Sequence, residues 1–161
     1  MNAEPIFVRT ARMGDYDALV AQFDQLDELH RQARPDVFQR FDGPARPRAQ
    51  IEQWLAGPGS TVLVAESGQD VVGLAVLLTR PPSPFPGAVP NKVIELDNIV
   101  VRDDRRGQRI GRQLLQASLA WSRGEGASHV VVSVHAFNRR ARRFYEDFGF
   151  TPSVDRLVLA A

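Results

Sequence analysis

The stretch from Ile99 to Gln116, I-V-V-R-D-D-R-R-G-Q-R-I-G-R-Q-L-L-Q, constrains the fold of this chain more than any other. A run of β-branched residues ends at Val101 and gives way to a turn rich in arginine and glycine. Beyond the turn Ile110, Leu114, Ala117 and Trp121 recur at spacings of four, three and four, which is one face of a helix. A strand that passes through such a turn into a helix aims successive backbone N–H groups at one point. The helix N-terminus adds a positive partial charge there. Gly107 and Gly111 carry no Cβ and let a ligand come close. Arg105, Arg106, Arg109 and Arg112 add charge suited to phosphate oxygens. The physics is that of a diphosphate cradle, but the pattern is neither the G-x-x-x-x-G-K-S/T loop nor the G-x-G-x-x-G dinucleotide fingerprint.

The rest of the chain supplies strands and helices around that stretch. Ile6 to Thr10 reads as a short strand, and Asp15 and Asp17 sit where a helix N-terminus favours negative charge. Leu19, Phe23, Leu26 and Leu29 or His30 continue at helical spacing until Arg34-Pro35 ends the helix. A loop with Phe38 and Phe41 follows, and these rings either cover a cleft or plug the core beneath the loop. Pro47 suits the first turn of a second helix, whose apolar face is Ile51, Trp54 and Leu55 and which Gly57-Pro58 stops. Thr61 to Glu66 and Val71 to Thr79 read as a hairpin about Ser67-Gly68-Gln69-Asp70. Pro81 to Pro90 holds five prolines in ten residues. It cannot pair inside a sheet, and it either rims a cleft, packs in a homodimer or only joins two strands. Lys92 to Val101 is the long central strand, Ser128 to Val134 another, and Val154 to Leu159 a last one. The expected order is β-α-α-β-β-β-α-β-α-β.

Composition excludes several classes of function. A length of 161 residues is one domain's worth, here residues 1–161. No apolar run of about 18 residues is present, so no membrane span is expected. The first residues lack the basic and apolar regions of a secretory leader, and a cytoplasmic protein is expected. The absence of cysteine removes disulfides, thiol nucleophiles and thiolate metal sites. His129 and His135 flank a strand with no carboxylate at ligand spacing, so no metal is expected. Arg139, Arg140, Arg142 and Arg143 add a second basic cluster, but a net charge of +1 provides no global field for nucleic acid.

Two motifs carry a resemblance. Arg106-Gly107-Gln108-Arg109-Ile110-Gly111 is similar to the pyrophosphate-binding motif of the Gcn5-related N-acetyltransferases (GNAT): Q or R, two residues, G, one residue, then G or A. Arg109 departs from it by standing where a glycine is usual. Asn138 to Phe150, N-R-R-A-R-R-F-Y-E-D-F-G-F, resembles the family's N-x-x-A-x-x-F-Y-x-x-x-G-F at Asn138, Ala141, Phe144, Tyr145, Gly149 and Phe150. The resemblance covers the C-terminal half residue by residue and the N-terminal half by element order. It implies the α/β three-layer (α/β/α) acyl-CoA N-acyltransferase fold, with a mixed, mostly antiparallel sheet splayed at the cofactor site.

The same resemblance implies direct transfer of an acetyl group from acetyl-CoA to a primary amine, with a small molecule expected as acceptor. A CoA-sensing module of the same fold, or an enzyme acting on protein N-termini or lysines, is the alternative. It assigns the diphosphate to residues 106–112: Arg106, Gly107, Gln108, Arg109, Ile110, Gly111 and Arg112. The pantetheine arm falls to the strand edge at Ile99, Val100 and Val101, with Asn138 and Phe144 beside it. Tyr145 is the implied acid, since a phenol of pKa about 10 is protonated at neutral pH and can donate to a departing thiolate. Its spacing with Phe144 and Phe148 would also suit a core stripe. The base is Asp97, Glu95 or a water; the two carboxylates are two apart and share a face if the strand is regular. With Asp36, Phe38 and Phe41 they would form an acidic, aromatic mouth for a cation.

Overall fold

The computed structural model describes residues 4–161. Its elements are β1 (Ile6–Thr10), α1 (Tyr16–Ala33), α2 (Arg48–Ala56), β2 (Ser60–Ser67), β3 (Asp70–Thr79), β4 (Val93–Val101), α3 (Ile110–Gly124), β5 (His129–Val131) and α4 (Arg139–Asp147). Single turns of 3-10 helix at Met13–Asp15 and Asp103–Arg105 lead into α1 and toward α3.

The five strands lie in sequence order, antiparallel from β1 to β4, with β5 parallel to β4. β2 and β3 are apolar on both faces because both faces are covered. Leu63, Ala65, Ala75 and Leu77 pack with Ile110, Leu114 and Leu115 of α3, whereas Val62, Val64, Leu74 and Val76 pack with Leu19 and Phe23 of α1 and Ile51 of α2. The result is a helix–sheet–helix sandwich, the fold that the two motifs imply. Gly73 permits its closeness, since a Cβ there would meet Leu114 Cδ1 at 2.9 Å and the Val100 carbonyl at 3.0 Å.

Asp15 does more than face a helix dipole. It is 7% exposed, takes the Arg9 guanidinium at 2.8 and 3.0 Å and accepts the Arg12 N–H at 2.9 Å. Arg9 also donates to Glu66 at 2.7 Å, which ties β1, β2 and the entry to α1 together.

Two expectations about strands are corrected. The strand read at Ser128 to Val134 is regular only over His129–Val131. The strand read at Val154 to Leu159 does not form: residues 151–161 carry no regular secondary structure, and Val154, Leu157, Val158 and Leu159 are 86–92% exposed. A strand is stable only with a partner for its N–H and C=O groups. Among the described residues no edge is paired with this segment.

Candidate active site

The pairing of β4 with β5 lasts three residues, from Val93 with His129 to Glu95 with Val131. Beyond Glu95 the two strands separate. Leu96 to Val101 therefore keep β3 on one side and, among the described residues, have no strand on the other. Ile99 and Val101 pack against the core under α3, Val100 against the core under α1, and the Val101 carbonyl accepts Gln25 Nε2 at 3.0 Å. Gln25 Oε1 also accepts the Asp103 N–H at 3.0 Å, which clamps the start of the following turn.

That turn leaves backbone donors free. Gly107 and Arg109 both hold left-handed backbone, at φ 80° and 62°. Among the described residues none of the N–H groups of 107 to 112 finds an acceptor; the first bond after the turn is Gln113 N–H to the Arg109 carbonyl. Six successive donors, two αL residues and the N-terminus of α3 form a concavity of the kind that takes phosphate oxygens. Ile110 is buried and anchors the turn. Arg106 is held by Asp103 at 2.6 Å, and Arg105 by Gln108 Oε1 and Ser67 Oγ at 3.1 and 2.9 Å. The Arg112 guanidinium lies 5.0 Å from the Phe148 ring, and Arg109 makes no ion pair among the described residues. Gly111 faces Phe144: a Cβ there would be 3.6 Å from the ring and from Val101 Cγ2, ordinary contact.

Asn138 caps α4, with Oδ1 accepting the Ala141 N–H at 3.1 Å, so its amide hydrogens stay available. Tyr145 is 6% exposed, with Phe144 and Phe150 at 5.3 and 5.6 Å between ring centres. Its hydroxyl donates to no acceptor among the described residues. The only fully buried side-chain polar atom there without a partner is Gln22 Oε1, so the Tyr145 hydroxyl reaches accessible surface. Burial of the ring pushes the phenol pKa well above its ordinary value.

The two carboxylates of β4 part company. Val76 pairs with Asn98 and Leu77 with Leu96, so Asp97 is the extra residue of a β-bulge. The strand is not regular here, and the assumption of a shared face on alternation alone fails. Glu95 is taken by Arg80 at 2.9 and 3.3 Å. Asp97 is exposed at the strand edge, accepts Asn98 Nδ2 and has no arginine partner among the described residues. Desolvation by neighbouring atoms, and then the charge of Glu95, hold its carboxyl above the usual carboxylate range, against the pull of Arg46. Asp36 is bound by Arg34 at 2.6 Å and stands outside the cleft.

Sequence reasoning gave two groups no site role. His30 on α1 and His135 beyond β5 meet at 5.2 Å between ring centres, and Phe38 stands 5.3 Å from each. They wall a cavity of about 430 Å³ that Phe41, Arg46 and Asn98 also line. His30 Nδ1 is hydrogen-bonded to the Leu26 carbonyl at 2.8 Å, so this nitrogen carries a proton. Desolvation, then the charges of His30 and Arg34, lower the His135 pKa and so favour its neutral ring. Arg46 pairs with Asp27 at 2.6 Å and stacks over Phe23 at 4.5 Å. The sequence signal was indirect: His30 ends a helix and His135 follows the strand that leaves β4, and the parallel β4–β5 pairing brings those ends together.

Comparison with known proteins gives a consistent picture. A model of the acetyltransferase (GNAT) family matches residues 23–150. The chain is 25% identical over 143 residues to the uncharacterized N-acetyltransferase YhfO of Bacillus subtilis (strain 168), covering 89% of this chain and 88% of that protein. It is 32% identical over 101 residues to N-acetyltransferase 8B of Rattus norvegicus, covering 62% of this chain but 43% of that protein, so it spans less than half the length of that relative. Among solved structures, a tetramutant of the BH1408 protein from Bacillus halodurans matches with a TM-score of 0.89 at 24% identity, over 96% of this chain and 99% of that one. Aminoglycoside N-acetyltransferase AAC(6')-Iy in complex with CoA matches with a TM-score of 0.67 at 16% identity, over 99% and 96%. Among the described residues no helix is long and apolar enough to cross a membrane.

Proposed function

The chain belongs to the GNAT acetyltransferase family, and on that premise we propose that it transfers the acetyl group of acetyl-CoA to a primary amine of a small molecule. The observation that carries this reading is the run of six unpartnered N–H groups at 107 to 112, set beside the open edge of β4. Those donors, with Arg109 and Arg112, fit a diphosphate. The free side of β4 from Leu96 onward fits a peptide-like arm, and the amide hydrogens of Asn138 face no competitor within the helix cap.

Acetyl-CoA, when bound, supplies an acetyl group on a thioester that an amine can attack. Tyr145 holds its proton firmly at Oη and gives it to the sulfur as negative charge grows there. Asp97 takes the proton of the amine, directly or through one water, because its raised pKa brings it closer to neutral than an ordinary aspartate. Glu95 acts on Asp97 through its charge and is itself held by Arg80. The acceptor enters between α1 and the chain after β5, where the rings of His30, Phe38 and His135 favour an amine with an apolar or aromatic flank.

The test is release of free thiol from acetyl-CoA against a panel of amines, with the acetylated product identified by mass. Turnover of aralkylamines or other primary amines supports the reading. Tight CoA binding with no thiol release from any amine would make the protein a CoA-binding module instead.

A further inference from the structure

The open edge of β4 and the turn before α3 meet between Val101 and Asp103, and a side chain of α1 spans that joint. The Arg102 N–H donates to the Val72 carbonyl at 2.9 Å. Val101 stands opposite Gly73 and Ile99 opposite Ala75. Antiparallel pairing alternates the side to which backbone groups point. The N–H and C=O of Ile99 and Val101 therefore face away from β3, toward the side that lacks a strand among the described residues. Gln25 takes one of these outward groups: its Nε2 donates to the Val101 carbonyl at 3.0 Å. Its Oε1 accepts the Asp103 N–H, also at 3.0 Å. One amide thus bridges Arg102, as donor to the last residue of β4 and acceptor from the first residue of the 3-10 turn. A carboxylate has no donor for the carbonyl, and a thioether serves neither bond well. Gln25 is itself held in place. Gln22, one turn earlier on α1, is 3% exposed and donates to the Val71 carbonyl at 3.0 Å, and Leu19 and Phe23 are buried against the same face of the sheet.

We propose that Gln25 is a positioning residue that fixes the open edge of β4 and the donor turn at 107–112 relative to each other, so that the arm and the diphosphate of acetyl-CoA are held as one unit. The inference rests on the reading of those two features as the acetyl-CoA site. Gln25 touches none of the reacting atoms. With its amide on the Val101 carbonyl, an arm lying along β4 is left the Ile99 N–H, the Ile99 carbonyl and the Val101 N–H, and its pairing stops there. The turn then starts from a fixed point at Asp103. Two contacts made by one ligand reinforce each other only while the spacing between them suits the ligand. A loosened joint leaves each contact intact and loses the reinforcement. The bridge also runs to α1, so the cofactor turn is anchored to the helix that carries His30 and Leu26 of the acceptor cavity.

The experiment compares two ligands on the full chain by calorimetry: CoA, which has both the diphosphate and the arm, and ADP, which has the diphosphate alone. Gln25→Met keeps the length of the side chain and removes the amide. Gln25→Asn keeps the amide but is one methylene shorter and cannot span both partners, so it carries the test if the first variant does not fold. In each variant CoA affinity should fall about tenfold and ADP affinity by about twofold or less. A general loss of structure lowers both affinities alike, so an equal loss for the two ligands overturns the proposal. Unchanged CoA affinity in the variants overturns it too. So does a wild type that binds CoA but not ADP at millimolar concentration, since the turn would then hold no diphosphate of its own. A wild type that does not bind CoA overturns the reading of the site and this inference with it, and that failure is seen before any variant is measured.

Discussion

Gly107 and Arg109, two residues apart at the entrance to α3, share the left-handed backbone conformation. Glycine takes it without strain; arginine does so against contact of its Cβ with the backbone, at about 1 kcal/mol. The position where the family pattern has glycine is therefore the one where the backbone asks for it. Arg109→Gly should stabilise the fold by about 0.5–1 kcal/mol, read as a higher midpoint in urea unfolding. CoA affinity should fall by less than tenfold, since the donors at 107–112 are backbone groups. A large loss of affinity would mean that the Arg109 guanidinium, and not the turn, holds the ligand.

Tyr145→Phe removes a hydroxyl that makes no hydrogen bond among the described residues and leaves the buried ring in place. Stability and CoA affinity should stay near wild type while kcat drops by roughly 10²-fold. A kcat within a factor of two would leave Tyr145 a packing residue.

The Asp97 carboxyl has a raised pKa, so its basic form is lost, as pH falls, sooner than that of an ordinary aspartate. In Asp97→Asn the proton acceptor is gone, more of the amine must arrive unprotonated, and the pH profile of kcat/KM should move upward. The linkage sign gives a second readout. A carboxyl whose folded pKa is raised destabilises the native state as pH rises through its unfolded value of about 4 toward the raised one. Asp97→Asn should therefore be as stable as wild type or more so at neutral pH. Coincident pH profiles would remove Asp97 from the chemistry.

Arg9 holds Asp15 well below the usual carboxylate range, with the Arg12 N–H adding to the effect and burial opposing it. A depressed folded pKa gives stability that is present above the unfolded value, about 4, and is lost as pH falls toward the lower folded one. Arg9→Leu should cost about 2–3 kcal/mol at pH 7, less than the ~3–5 of a fully buried pair because Arg9 keeps 27% of its side-chain exposure. The urea midpoint of the variant should also depend less on pH below about 4. A variant as stable as wild type would show that the network is only superficial.

Most of the elements, and the glycine turn before α3, were legible in the sequence because each is local. Period 3.6 along α1 and α3, apolar runs in β2 and β3, and glycine at 107 each follow from what neighbouring residues permit the backbone to do. The resemblance at Asn138, Ala141 and Tyr145 falls on one short segment, which folds as α4 with Asn138 as its cap. What the fold alone decided involves partners far apart in the chain. Arg80 claims Glu95, a bulge opposite Leu77 turns Asp97 out of register, and His30 meets His135 across more than a hundred residues. A carboxylate pairs with whichever cation the sheet brings beside it, and a strand forms only where an edge is free to receive it. The segment from Val154 to Leu159 has the composition of a strand, but its partner is a matter of three-dimensional neighbours, which no spacing within the segment can specify.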